Sequence, residues 1–68
     1  MKIEYDPKAD AMYIRMRAGT ASESDEIRPG LVIDFDADGK VLGIEMLDVS
    51  LRTDNSRELS LSLVGTGE

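Results

Sequence analysis

Residues 31–47 read LVIDFDADGKVLGIEML, two apolar runs on either side of Asp36-Ala37-Asp38-Gly39-Lys40. Leu31, Ile33 and Phe35 alternate with Val32, Asp34 and Asp36, and Leu42, Ile44 and Met46 alternate with Val41, Gly43 and Glu45. Successive side chains of a strand point to opposite faces, so a period of two on both sides of a turn-forming segment predicts a β-hairpin. No stretch of the chain carries the 3.6-residue spacing of an amphipathic helix.

The remaining segments extend this pattern. Residues 2–6 place Ile3 and Tyr5 on one side and Lys2, Glu4 and Asp6 on the other, as a half-buried strand does. Asp6-Pro7-Lys8-Ala9-Asp10 then forms a turn, since proline presets φ and an aspartate accepts backbone N–H groups two or three residues on. Alternation resumes over residues 11–17, with Met12, Ile14 and Met16 inward and Tyr13, Arg15 and Arg17 outward, completing a first hairpin. The inward methionines are read as core filling rather than as an adaptable binding surface.

Residues 21–28 hold one large apolar side chain, Ile27, among Glu23, Asp25 and Glu26. They read as an edge strand or an extended loop, because charges on an edge discourage pairing with other molecules. Pro29-Gly30 closes that segment. Beyond Met46 the chain turns polar, with room for at most a short helical turn near residues 49–57 and with Val49 and Leu51 as its apolar side chains. Residues 58–64 alternate Leu59, Leu61 and Leu63 with Ser60 and Ser62, a strand pattern, and residues 65–68 are expected to fray.

The expected fold class is therefore mainly β: an antiparallel meander of five to six short strands in one domain over residues 1–68, with a tail strand at 58–64. A sheet with one apolar face needs a second layer, and no helix is available to supply it. The cover must come from the sheet rolling onto itself or from another copy. We expect a homodimer that buries Ile14, Ile33, Phe35, Ile44 and the tail leucines.

Composition removes several function classes. A chain of 68 residues buries only about 60% of the surface its unfolded form exposes, so stability is thin. The absence of cysteine excludes a disulfide framework and thiolate metal sites, and the absence of histidine excludes an imidazole base, a triad histidine and a histidine zinc ligand. Fourteen acidic against eight basic residues give a net charge of -6, which repels phosphate backbones and anionic lipid. A basic protein is the better-tolerated partner; neither nucleic acid nor membrane is expected. No apolar run approaches the roughly 18 residues of a membrane span, and the first residues carry charge where a signal peptide is apolar, so the expected compartment is the cytoplasm.

Asp34, Asp36, Asp38, Gly39 and Glu45 satisfy the calcium-loop pattern D-x-[DN]-x-[DN]-G-x5-E. A calcium loop of that type lies between helices, whereas Pro29-Gly30 and the period-two flanks here belong to strands. On the hairpin reading Asp38-Gly39 forms the tip, while Asp34, Asp36 and Glu45 face solvent. A cation at Asp34, Asp36 and Asp38 is the alternative. Asp6 and Asp10 are read as turn caps rather than as a general acid and base, since neither has apolar surroundings. Tyr13, Arg15 and Arg17 are read as pairing across strands with Glu4 and Asp6, the other reading being a surface for an acidic partner or RNA.

Tyr5-Asp6-Pro7-Lys8-Ala9-Asp10-Ala11-Met12-Tyr13-Ile14 resembles the opening Y-D-x-x-A-D-x-x-Y-[IV] of the small prokaryotic family called domain of unknown function 2283. Glu26-Ile27-Arg28-Pro29-Gly30, Asp34-Phe35-Asp36 and Gly39-Lys40-Val41-Leu42-Gly43-Ile44-Glu45 resemble its second signature, E-x-x-P-G, D-x-D and G-x-[IVL]-x-G-[IL]-E. The resemblance covers residues 1 to about 50 and does not extend to the tail from Leu51. It implies a small β-rich prokaryotic domain, assigns no catalytic residue, and implies a companion role beside small toxin-like proteins. It also supports the hairpin reading of Asp34, Asp36, Gly39 and Glu45.

The expected function is that of a non-enzymatic protein-binding module docking a basic partner, with Glu23, Asp25, Glu26, Asp34, Asp36 and Asp38 as contact charges and no cofactor. The alternative is a divalent-cation-binding protein or metal-dependent hydrolase using Asp34, Asp36 and Asp38.

Overall fold

Alternating side chains become strands wherever a partner strand completes their backbone hydrogen bonds. In the computed structural model, which describes residues 1–65, five do so: β1 (Lys2–Asp6), β2 (Ala11–Arg15), β3 (Glu23–Arg28), β4 (Leu31–Phe35) and β5 (Val41–Leu47). They form one antiparallel sheet in the order β1-β2-β5-β4-β3, followed by a single helical turn, α1 (Val49–Arg52). This is the mainly β class the alternation predicts. The order leaves a plain meander at one point, where β2 pairs with β5 and sets Ile14 opposite Ile44.

Register explains the two faces. Ile3, Ile14, Ile44 and Ile33 form one row across four strands, and Tyr5, Met12, Met46 and Leu31 form another on the same side. On the opposite side the rows are polar: Glu4, Tyr13, Glu45, Val32 and Glu26, then Lys2, Arg15, Gly43, Asp34 and Ser24. β3 is an edge strand, and Asp25 stands opposite Ile33, so a charge ends the isoleucine row.

Asp48, in the left-handed region at φ 54°, turns the chain out of β5 and into α1. α1 is tied at both ends. The Val49 and Ser50 N–H groups donate to the Asp10 carbonyl and carboxylate at 3.1 and 3.0 Å. The Arg52 guanidinium donates to the Leu47 carbonyl at 2.7 Å and to the Pro29 carbonyl. Four residues of helix thus join the β1–β2 turn to the β3–β4 turn.

The buried apolar core among the described residues is small, consisting of Leu42 and Val49. Extensive contacts between elements run only between hydrogen-bonded strand neighbours, as in a single-layered sheet. The expected tail strand at 58–64 does not form: the segment has no ladder partner, and Leu59, Leu61 and Leu63 are 66%, 83% and 80% exposed. Alternation decides which way side chains would face, but a strand also needs an edge to pair with, and in the single chain this segment meets neither β1 nor β3. Fraying was expected at residues 65–68, of which 66–68 lie outside the described residues. No helix among the described residues is long and apolar enough to cross a membrane.

Candidate functional site

The acidic residues divide by what their oxygens accept. Asp6 takes the Lys8 and Ala9 N–H groups at 2.9 and 3.4 Å, capping its turn as expected. Glu26 takes the Gly30 N–H at 3.0 Å, so the first residue of the Glu-x-x-Pro-Gly segment closes the turn that the Pro-Gly makes. Asp36 takes the Lys40 and Asp38 N–H groups, both at 2.9 Å, and these bonds hold its carboxyl below the ordinary carboxylate range.

Asp10 does more than cap a turn. Its carboxylate accepts the Ser50 hydroxyl at 2.6 Å and the Tyr5 hydroxyl at 2.8 Å, and those two bonds in that order lower its pKa. The Tyr5 hydroxyl also lies 3.2 Å from the Ser56 hydroxyl. One carboxylate therefore gathers the first strand, the helical turn and the start of the tail.

The cation alternative at Asp34, Asp36 and Asp38 finds no geometry to support it. Asp34 is engaged by the Ser24 hydroxyl at 2.6 Å and the Tyr13 hydroxyl at 3.0 Å, while Asp36 is spent on its own turn. Among the described residues no group of three or more carboxylates stands close enough to hold a metal ion.

A shallow depression of about 480 Å3 lies along β1, β2 and β5, its walls including Glu4, Asp6, Tyr13 and Glu45 of the polar rows together with Tyr5 and Met12. β1 and β5 flank β2, which puts Glu4 directly opposite Tyr13 on one side and Glu45 on the other. The Tyr13 ring lies over Gly43 of β5, where a Cβ would fall 2.6 Å from the ring Cζ, and its hydroxyl reaches Asp34 on β4. Burial, then the hydrogen bond to Asp34, pushes the phenol pKa up, so it stays neutral and donates. The Arg15 guanidinium lies 5.4 Å from the ring centroid, so that face of the ring already takes a cation.

Tyr13 stands across from Glu4 as expected, whereas among the described residues Arg15 and Arg17 form no ion pair with Glu4 or Asp6. Glu4 meets Lys2 at 3.5 Å, Asp6 serves its turn, Arg15 stacks on Tyr13, and the charge of Arg17 acts on Asp36. The six expected contact charges also separate. Glu26, Asp34 and Asp36 are engaged within the fold, whereas Glu23 and Asp25 lie exposed on the edge strand and Asp38 on the exposed β4–β5 turn. Sequence reasoning did not single out Glu4 and Glu45 as neighbours, because only the β2–β5 pairing brings them to one place. Gly43 was the available signal, since a glycine inside a strand marks a close approach.

No curated protein and no solved structure matches the chain. Residues 2–50 match the model of a family, a stretch that takes in all five strands and the turns their acidic residues cap. With most of its length so matched, the chain belongs to the family described as protein of unknown function (DUF2283).

Proposed function

We propose that this chain is a non-enzymatic docking module that takes a basic protein, of the small toxin-like kind, on its polar face. The observation that carries the proposal is charge left without a partner: fourteen acids stand against eight bases, and one ion pair, Lys2 with Glu4, occurs among the described residues. Glu4 and Glu45 stand on either side of Tyr13 in an open cleft, an arrangement that suits a lysine or arginine side chain set between the two carboxylates. Asp38, on the exposed β4–β5 turn, adds to the same field, and Glu23 and Asp25, which the register sets on the other side of the β3 edge, act through the net charge on the rate of encounter more than on affinity. A cytoplasmic setting and the absence of a nucleic-acid or membrane partner belong to the same proposal and rest on the acidic balance.

Affinity purification from the native host at low salt tests it. A protein of basic isoelectric point should be retained by the chain and released by salt, and the Glu4→Lys, Glu45→Lys double variant should fail to retain it. Equal retention by that variant, or no basic protein at all, overturns the proposal.

A further inference from the structure

We infer that the apolar face of the sheet is covered by a second copy of this chain, with the leucine tail of each copy laid across the sheet of the other. The face itself consists of the rows Ile3, Ile14, Ile44, Ile33 and Tyr5, Met12, Met46, Leu31, and none of these side chains is fully buried in the single chain. Asp25, opposite Ile33, and Glu23, opposite Phe35, close the apolar area at the β3 edge, so four of the five strands are available to a partner.

Area decides what the partner must bring. Four strands about 4.8 Å apart, each about 17 Å long, offer a flat patch of roughly 320 Å2. A stable interface buries about 800 Å2 on each side, so two sheet faces alone fall short. The tail is the missing surface. Leu59, Leu61, Leu63 and Val64 are 66%, 83%, 80% and 85% exposed, and in an extended chain the three leucines share one side. Residues 58–64 fully extended reach about 24 Å, the full width of a five-stranded sheet.

Beyond Leu59 the tail does not supply that cover to its own sheet. Its first part, through Leu59, runs beside Met12, Met46 and Val49 of the same chain, and beyond Leu59 its side chains stand in solvent. Each copy therefore carries an open apolar face and an unpaired apolar ribbon that fit each other, and a two-fold pair satisfies both at once. A foreign protein would have to supply both a matching face and a matching ribbon.

Sedimentation of the full chain at micromolar concentration and about 0.15 M salt should show a dimer. Leu61→Asp with Leu63→Asp changes only exposed positions, and this variant should sediment as a monomer with the strand content of the parent. The chain has no cysteine, so Leu61→Cys in one copy and Ile33→Cys in another should cross-link on oxidation into a species of doubled mass. A monomeric parent, a dimer that persists in the Leu61→Asp, Leu63→Asp variant, or a cross-link that forms within one chain carrying both cysteines overturns the inference. The Glu4→Lys, Glu45→Lys variant lies on the opposite face and should leave the dimer intact.

Discussion

Gly43 is where the β2–β5 ladder and the polar face of the sheet constrain one another through a single residue. A methyl group there would lie 2.7 Å from the Ile14 carbonyl oxygen and 2.6 Å from Cζ of Tyr13. The first neighbour is backbone in the adjacent strand and cannot give way without straining the β2–β5 ladder. The second can move, but only by lifting the ring away from the carboxylate its hydroxyl meets at 3.0 Å. Gly43→Ala is therefore expected to cost about 1–3 kcal/mol, as overpacking of a filled site does. Urea unfolding of the variant checks this, and a midpoint equal to that of the parent would mean that the ladder has slack there. The same residue shows what can be read locally: a glycine interrupting a strand pattern announces close approach, yet not that a tyrosine from two positions away across the ladder is what approaches.

At the scale of elements, carboxylates hold the turns and the helical turn in place. Asp10 and Asp36 have pKa values below the ordinary carboxylate range, the first through Ser50 and Tyr5, the second through the Lys40 N–H. A carboxyl whose pKa is depressed on folding adds stability that is fully present above its unfolded value and is lost as pH falls through the folded one. The parent should hold its urea midpoint from neutral pH down to the usual carboxylate range and lose it progressively below. Asp10→Asn with Asp36→Asn should be less stable at neutral pH and show a flatter acid limb. Parallel acid limbs in the two proteins would assign the acid loss to other groups. The strands, the turns and the edge character of β3 were legible because each follows from period, Pro-Gly chemistry or a run of charge within a few residues. The β2–β5 pairing and the bridge from Asp10 to Ser50 were not, since they join segments far apart in sequence through hydrogen bonds that no local pattern encodes. The leucine tail misled for the same reason: its period was right, and the partner edge that makes a strand was missing.

The whole molecule is a thin plate, 18 Å through its shortest axis, with opposite chemistry on its two sides and a net charge of -6. At about 0.01 M salt the screening length is about 30 Å, longer than the plate is thick, so each face feels the charge of the entire chain. At about 0.15 M it is about 8 Å, and the faces become electrically independent. Association of two like-charged copies through apolar surface must then tighten as salt rises, while docking of a basic protein on the polar face must weaken. The two events are also coupled at low salt alone: a polycation bound to the polar face cancels part of the repulsion that keeps copies apart on the other. Polylysine is therefore expected to promote dimerisation at about 0.01 M salt and to leave it unchanged at about 0.15 M, where the charges it neutralises no longer reach across the sheet. Sedimentation equilibrium at the two salt concentrations, with and without the polycation, reads this directly. A dimer that weakens as salt is added would mean that ion pairs rather than apolar side chains join the copies, contrary to a contact made by the isoleucine rows and the leucine tail.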